Sequence, residues 1–86
     1  MAKLKTLDTL SRRLKSILAE SFPGASLRIE RRGPLKKYGG IIVWQGFEGM
    51  EQIDRQRQLW SRLRSALSAE DQLRITAILT MTPAER

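Results

Sequence analysis

Residues 46–67, GFEGMEQIDRQRQLWSRLRSAL, read as a tight turn followed by the longest uninterrupted helical pattern in the second half of the chain. At about 100° per residue, Ile53, Leu59, Trp60, Leu63, Ala66 and Leu67 fall in one arc, and Gln58, Ser61, Arg62 and Ser65 fall opposite. The arc predicts a core face. Gln56 projects near its middle, where an amide requires a hydrogen-bond partner or a position at the rim.

Working outward, Leu7, Leu10, Leu14, Ile17 and Leu18 recur at three- and four-residue spacing, which predicts a first helix over 7–21. Thr6 is placed to cap it and Pro23-Gly24 to stop it. In residues 25–32, Leu27 and Ile29 alternate with Arg28 and Glu30, the period of a half-buried strand. Residues 33–40, GPLKKYGG, then read as a basic loop, and 41–45 as a second, β-branched and aromatic strand. After the central helix, Ser68 and Asp71 have capping-box spacing, which suggests a short turn or a half-formed helical start. Residues 73–82 alternate as a third strand, with Leu73, Ile75, Ala77, Leu79 and Met81 on one face and Arg74, Thr76, Ile78, Thr80 and Thr82 on the other. Thr82-Pro83-Ala84-Glu85 places a cap, a proline and a glutamate where a helix would begin. The expected architecture is α+β, in the order α-β-β-α-β, a three-stranded mixed sheet packed against two helices in a single small domain spanning residues 1–86.

Composition narrows the chemistry. With 86 residues, only roughly 60% of the unfolded surface is buried on folding, so the core is small. Cysteine and histidine are both absent. That excludes a disulfide framework, thiolate and histidine-based nucleophilic mechanisms, and most transition-metal sites. No apolar run exceeds the four residues 41–44, too short to span a membrane, and the absence of a secretory segment makes a reducing cytoplasmic compartment the expectation. The net charge of +7 is lopsided: residues 1–40 hold ten of the 16 Lys and Arg against Asp8, Glu20 and Glu30, while 41–86 hold six cations and six acids. A one-sided basic surface fits an anionic partner, although it also serves solubility alone.

The second half resembles the BolA-like family. The resemblance rests on Phe47-Glu48-Gly49, on Arg55-Gln56-Arg57 followed by Leu59-Trp60 and Leu63, and on a closing strand that runs into Thr82-Pro83. It implies a fold related to the class II KH domain, with Phe47 plugging the core and Gly49 making a turn. It also implies DNA binding, as in some members, or association with a monothiol glutaredoxin. The chain departs from the family where cofactor chemistry would sit. Gln56 replaces a nearly universal histidine, and Arg74 stands where cluster-sharing members carry another. The loop GPLKKYGG offers neither His nor Cys, and Arg86 replaces a terminal tryptophan. No cofactor and no metal ligand are therefore expected, because glutamine and arginine are not useful ligands for an iron-sulfur cluster.

Three groups of residues carry candidate chemistry. Arg31, Arg32, Lys36 and Lys37 crowd beside Tyr38, a combination that can follow phosphates while a ring stacks on a base. Arg55, Arg57, Arg62 and Arg64 line the central helix in two rows bordering the core arc, suited to phosphates or to covering core edges with their stems. Gly46-Phe47-Glu48-Gly49 matches the Gly-x-x-Gly clamp of KH domains, but Glu48 would repel a phosphate and the pattern also serves as a plain turn. The carboxylates Glu48, Glu51 and Asp54 are spaced for an acid-base pair, yet helix-dipole complementarity accounts for them, and no enzyme is expected. The reading is a non-enzymatic regulator that binds nucleic acid, DNA above all, through the basic hairpin loop and the helix arginines. The alternative is an adaptor for a monothiol glutaredoxin without histidine cluster ligands; neither membrane nor small-molecule substrate is expected.

Overall fold

The computed structural model describes residues 9–33 and 37–86. The cap expected at Thr6, together with Leu7, and Lys36 of the basic loop lie outside the described residues. Helix α1 (Thr9–Ser21) buries Leu10, Leu14 and Leu18, one residue per turn, and ends before Pro23 and Gly24. Strands β1 (Ser26–Arg32) and β2 (Lys37–Val43) pair antiparallel from Ser26 opposite Val43 to Arg32 opposite Lys37. A 3-10 turn (Gln45–Phe47) leads to helix α2 (Gln52–Ala66), short helix α3 (Ala69–Gln72), strand β3 (Ile75–Met81) and a closing 3-10 turn (Pro83–Glu85). β3 pairs parallel to β2, so the sheet is mixed and its order is β1-β2-β3. The α-β-β-α-β order is the expected one.

Helix α1 packs on β1 and on α2, and α2 packs in turn on β3. Both helices lie on one face of the sheet, because the crossover joining parallel strands β2 and β3 must return over it. Their leucines meet Phe22, Tyr38, Ile42, Phe47 and Ile78 in one buried cluster.

Four local expectations change. β2 begins at Lys37 rather than at residue 41, because the last four residues of GPLKKYGG join the ladder against 29–32. The capping-box spacing at Ser68 does make a helix, with Ser68 Oγ accepting from the Asp71 amide at 3.1 Å. Ile53 is 59% exposed and Ala66 is also exposed, so neither belongs to the core arc. The buried stripe is Arg55, Leu59, Leu63 and Leu67, the i, i+4 ridge, which rotates the arc away from Ile53. Lastly, a bulge interrupts β3: Tyr38 pairs with Ile75, but Gly40, two residues on, pairs with Ile78, three residues on. Ile75 is buried before it, and Ile78, Thr80 and Thr82 are buried after it. The extra residue reverses the alternation, leaving Leu79 53% exposed.

Candidate functional site

The turn at 46–49 closes the core. Phe47 is fully buried, with ring centroids 5.5 Å from Phe22 and 5.1 Å from Trp44, and Phe22 and Trp44 meet edge-on at 5.0 Å. Trp44 Nε1 donates to the Pro23 carbonyl at 2.9 Å, which fixes the indole. The indole covers Gly46 so closely that a Cβ there would lie 2.5 Å from the ring, and Gly49 supplies a left-handed φ of 83°. Gly46 thus has a packing reason and Gly49 a conformational one, so the turn accounts for both glycines without a phosphate.

Arg55 lies under this turn, only 5% exposed. Its Nη1 and Nη2 donate to the two carboxylate oxygens of Glu85 at 2.8 and 3.1 Å, and its Nε donates to the Met50 carbonyl at 3.0 Å. The guanidinium also stands 5.8 Å from the Phe47 ring centroid. The hydrogen bond to Glu85 raises the Arg55 pKa. The same bond, then the Thr82 amide donating to Glu85 Oε1 at 2.9 Å, holds the Glu85 carboxyl down to about 2. Arg55 was expected among the phosphate contacts. Its donors are instead spent on fastening the closing turn to α2. Tyr38 is likewise corrected: the ring expected to stack on a base is 2% exposed in the core, with the Arg74 guanidinium 5.7 Å from its centroid.

The remaining basic residues do not form one patch. Strand alternation turns Tyr38, Gly40 and Ile42 toward the helices, and turns Lys37, Gly39, Ile41 and Val43 to the open face. Their register partners follow, so Arg32 opposite Lys37, Glu30 opposite Gly39 and Arg28 opposite Ile41 share the open face, whereas Arg31 opposite Tyr38 takes the helix side. Gly39 admits the Arg32 side chain, since a Cβ there would sit 3.2 Å from Arg32 Nε and 2.7 Å from Thr76 Oγ1. Arg57, Arg62 and Arg64 are exposed on α2, across the sheet from Arg32 and Lys37. Arg57 pairs with Asp54 at 3.5 Å.

Gln56 finds partners at the free edge of β3: its Nε2 donates to the Ile78 carbonyl at 2.8 Å and to Thr80 Oγ1 at 3.4 Å. Gln52 joins it, donating to the Thr80 carbonyl at 3.1 Å and accepting from Thr80 Oγ1 at 2.8 Å. Beside Gln56, a shallow surface cleft is lined by Ile53, Arg57, Trp60 and Arg64. It presents apolar surface between two guanidinium groups. The residues at the family's cluster positions do not fit an iron-sulfur cluster: Gln56 engages a strand carbonyl, and Arg74 places a cation over a ring. Glu48, Glu51 and Asp54 are all exposed, and Asp54 answers Arg57.

The Arg55–Glu85 pair and the glutamine cover of β3 escaped sequence reasoning. A signal existed for the first, since Arg55 continues the i, i+4 row of Leu59 and Leu63. The second depends on the bulge, which the sequence does not announce.

No protein-family model matches the chain, and no curated protein sequence matches it. Solved structures do. BolA1 from Arabidopsis thaliana is 26% identical, with 91% of this chain and 96% of that one aligned at a TM-score of 0.71. A bol-like protein from Babesia bovis is 25% identical over 84% of this chain and 83% of that one, at 0.61. The BolA domain of SufE1 from Arabidopsis thaliana, 21% identical over 91% and 96%, shares the fold at 0.66.

Proposed function

Since this chain is a BolA-like protein, we propose that it acts as a non-enzymatic adaptor domain that docks a partner protein through the α2 cleft. The observation that carries this reading is the cleft itself, where Ile53 and the half-buried Trp60 lie between Arg57 and Arg64. Tryptophan and arginine are the side chains most enriched at protein-protein hot spots. All four also project from one helix, α2, so little backbone entropy is lost on docking. The fold of a BolA domain within SufE1 is consistent with such a module serving a second protein. A monothiol glutaredoxin is the partner class implied by the family resemblance, held here by protein surface with no shared cluster.

The test is calorimetric titration with an apo monothiol glutaredoxin. A colourless complex is expected, weakened about tenfold or more by Trp60→Ala or Ile53→Glu. A complex that assembles only with stoichiometric iron would sink the ligand argument; none at all, with or without iron, would sink this partner.

Nucleic-acid binding is the second reading, favoured by the exposed Arg31 and Arg32 and the half-buried Lys37 at one end of the hairpin. With Arg55 and Tyr38 inside, its contact set is Arg31, Arg32 and Lys37, with Lys36 from the sequence, and Arg57, Arg62 and Arg64 on the other side of the sheet. An amide titration with a short DNA duplex at two salt concentrations separates the readings, because only the nucleic-acid complex collapses steeply with salt.

A further inference from the structure

The open face of the sheet carries a second surface. Ile41 pairs with Leu79 and Val43 with Met81, so Ile41, Leu79 and Met81 present apolar surface across β2 and β3 on the face that the helices leave uncovered, around a Val43 that is only 8% exposed. Leu79 is 53% exposed. A shallow depression at this end is lined by Ile41, Val43 and Met81, with Ser26, Leu27, Arg28 and Arg86. Arg28 stands beside Ile41 in the register, and Arg32 and Lys37 follow along the same face. Glu30 lies among them, 3.7 Å from Arg28 and 3.8 Å from Arg32, so one acid is shared by two of the four cations Arg28, Arg32, Lys37 and Arg86.

We propose that this face docks an acidic amphipathic helix of a partner protein, its aliphatic residues seated on Ile41, Leu79 and Met81 and its carboxylates on Arg28, Arg86, Arg32 and Lys37. Three strands about 4.8 Å apart match the roughly 10 Å diameter of one helix. Helices are also what cover the opposite face of this sheet. Charge selects among the occupants. A second copy would bring its own excess of cations against this rim, the chain being +7 overall. Residues 1–8 of this chain carry Lys3 and Lys5 against Asp8, again the wrong sign. Nucleic-acid bases would find no ring to stack on, since Tyr38 is buried in the core and Trp44 packs into the aromatic cluster with Phe22 and Phe47.

The test is a methyl and amide NMR titration with a model peptide of about five helical turns, leucine along one face and glutamate along the other. Shifts confined to Ile41, Val43, Leu79 and Met81 and to the amides of 28–32 are expected. Leu79→Lys should weaken binding about tenfold while leaving the free protein's spectrum dispersed. The same peptide with lysine for glutamate should not bind. Shifts at Ile53 and Trp60 instead, indifference to Leu79→Lys, equal binding of the lysine peptide, or concentration-dependent shifts of this face without peptide would each overturn the proposal. The α2 cleft is read by separate signals, so either surface can fail without the other.

Discussion

Arg55 shows how one side chain decides what its neighbours can do. A guanidinium in the core stripe of a helix needs acceptors for a planar fork of donors, and two carboxylate oxygens with a backbone carbonyl supply them. Glu85 gains too: its pKa falls from 4.5 to about 2, first through the bond to Arg55 and then through the Thr82 amide. A carboxylate with a depressed folded pKa contributes stability that is present above its unfolded value and is lost as pH falls through the folded one. The contribution should therefore disappear between about pH 4.5 and pH 2. Melting temperatures measured across that window should drop for the native chain, and Glu85→Gln should lower Tm at neutral pH and flatten the acid limb. An acid limb unchanged in the variant would mean that the pair contributes nothing to stability.

At the scale of elements, the informative feature is the bulge in β3. Strict alternation assigns Leu79 and Thr80 to opposite faces with the leucine inside, and the structure reverses them. The reversal works because Thr80 is not left dry: its hydroxyl donates to Gln52 and its carbonyl accepts from the same side chain. Together with Gln56 on the Ile78 carbonyl, α2 covers the polar groups of a strand that has β2 on one side only. Covering an edge this way removes a template for pairing with another chain. Thr80→Val keeps the shape but removes the buried hydroxyl that donates to Gln52 and accepts from Gln56, and should cost about 1 kcal/mol in chemical denaturation. Leu79→Ser, on the exposed face, should stay within about 0.5 kcal/mol. The opposite ranking would place the bulge elsewhere.

For the whole molecule, the question is where the excess charge goes. The cations of residues 1–40 reach the open sheet face through Arg28, Arg32 and Lys37, while Arg57, Arg62 and Arg64 lie on α2 across the sheet. Two smaller positive surfaces bind differently from one large one. Any polyanion held by the hairpin should lose about two units of salt slope when Arg32 and Lys37 are both changed to glutamate, with Arg62→Glu leaving that slope nearly unchanged. Parallel titrations of a DNA duplex across a salt series measure both; a slope that responds equally to α2 and hairpin changes would mean one continuous surface. Among the described residues no helix is long and apolar enough to cross a membrane.

The amino-acid sequence alone specifies the element order, the leucine ridges of both helices, and the Phe47-Gly49 turn. These are local consequences of hydrophobic period and turn chemistry, which neighbours on the chain suffice to specify. It also determined the loss of histidine and cysteine, and with it the ligand chemistry. Which polar residues turn inward is settled by packing between elements. Arg55 is buried because Glu85 comes to meet it at the end of the chain, and Tyr38 because β2 starts early enough to carry it under the helices. The inside and outside of β3 were likewise set by one extra residue opposite β2, a register choice made between strands and so invisible in the alternation of either one.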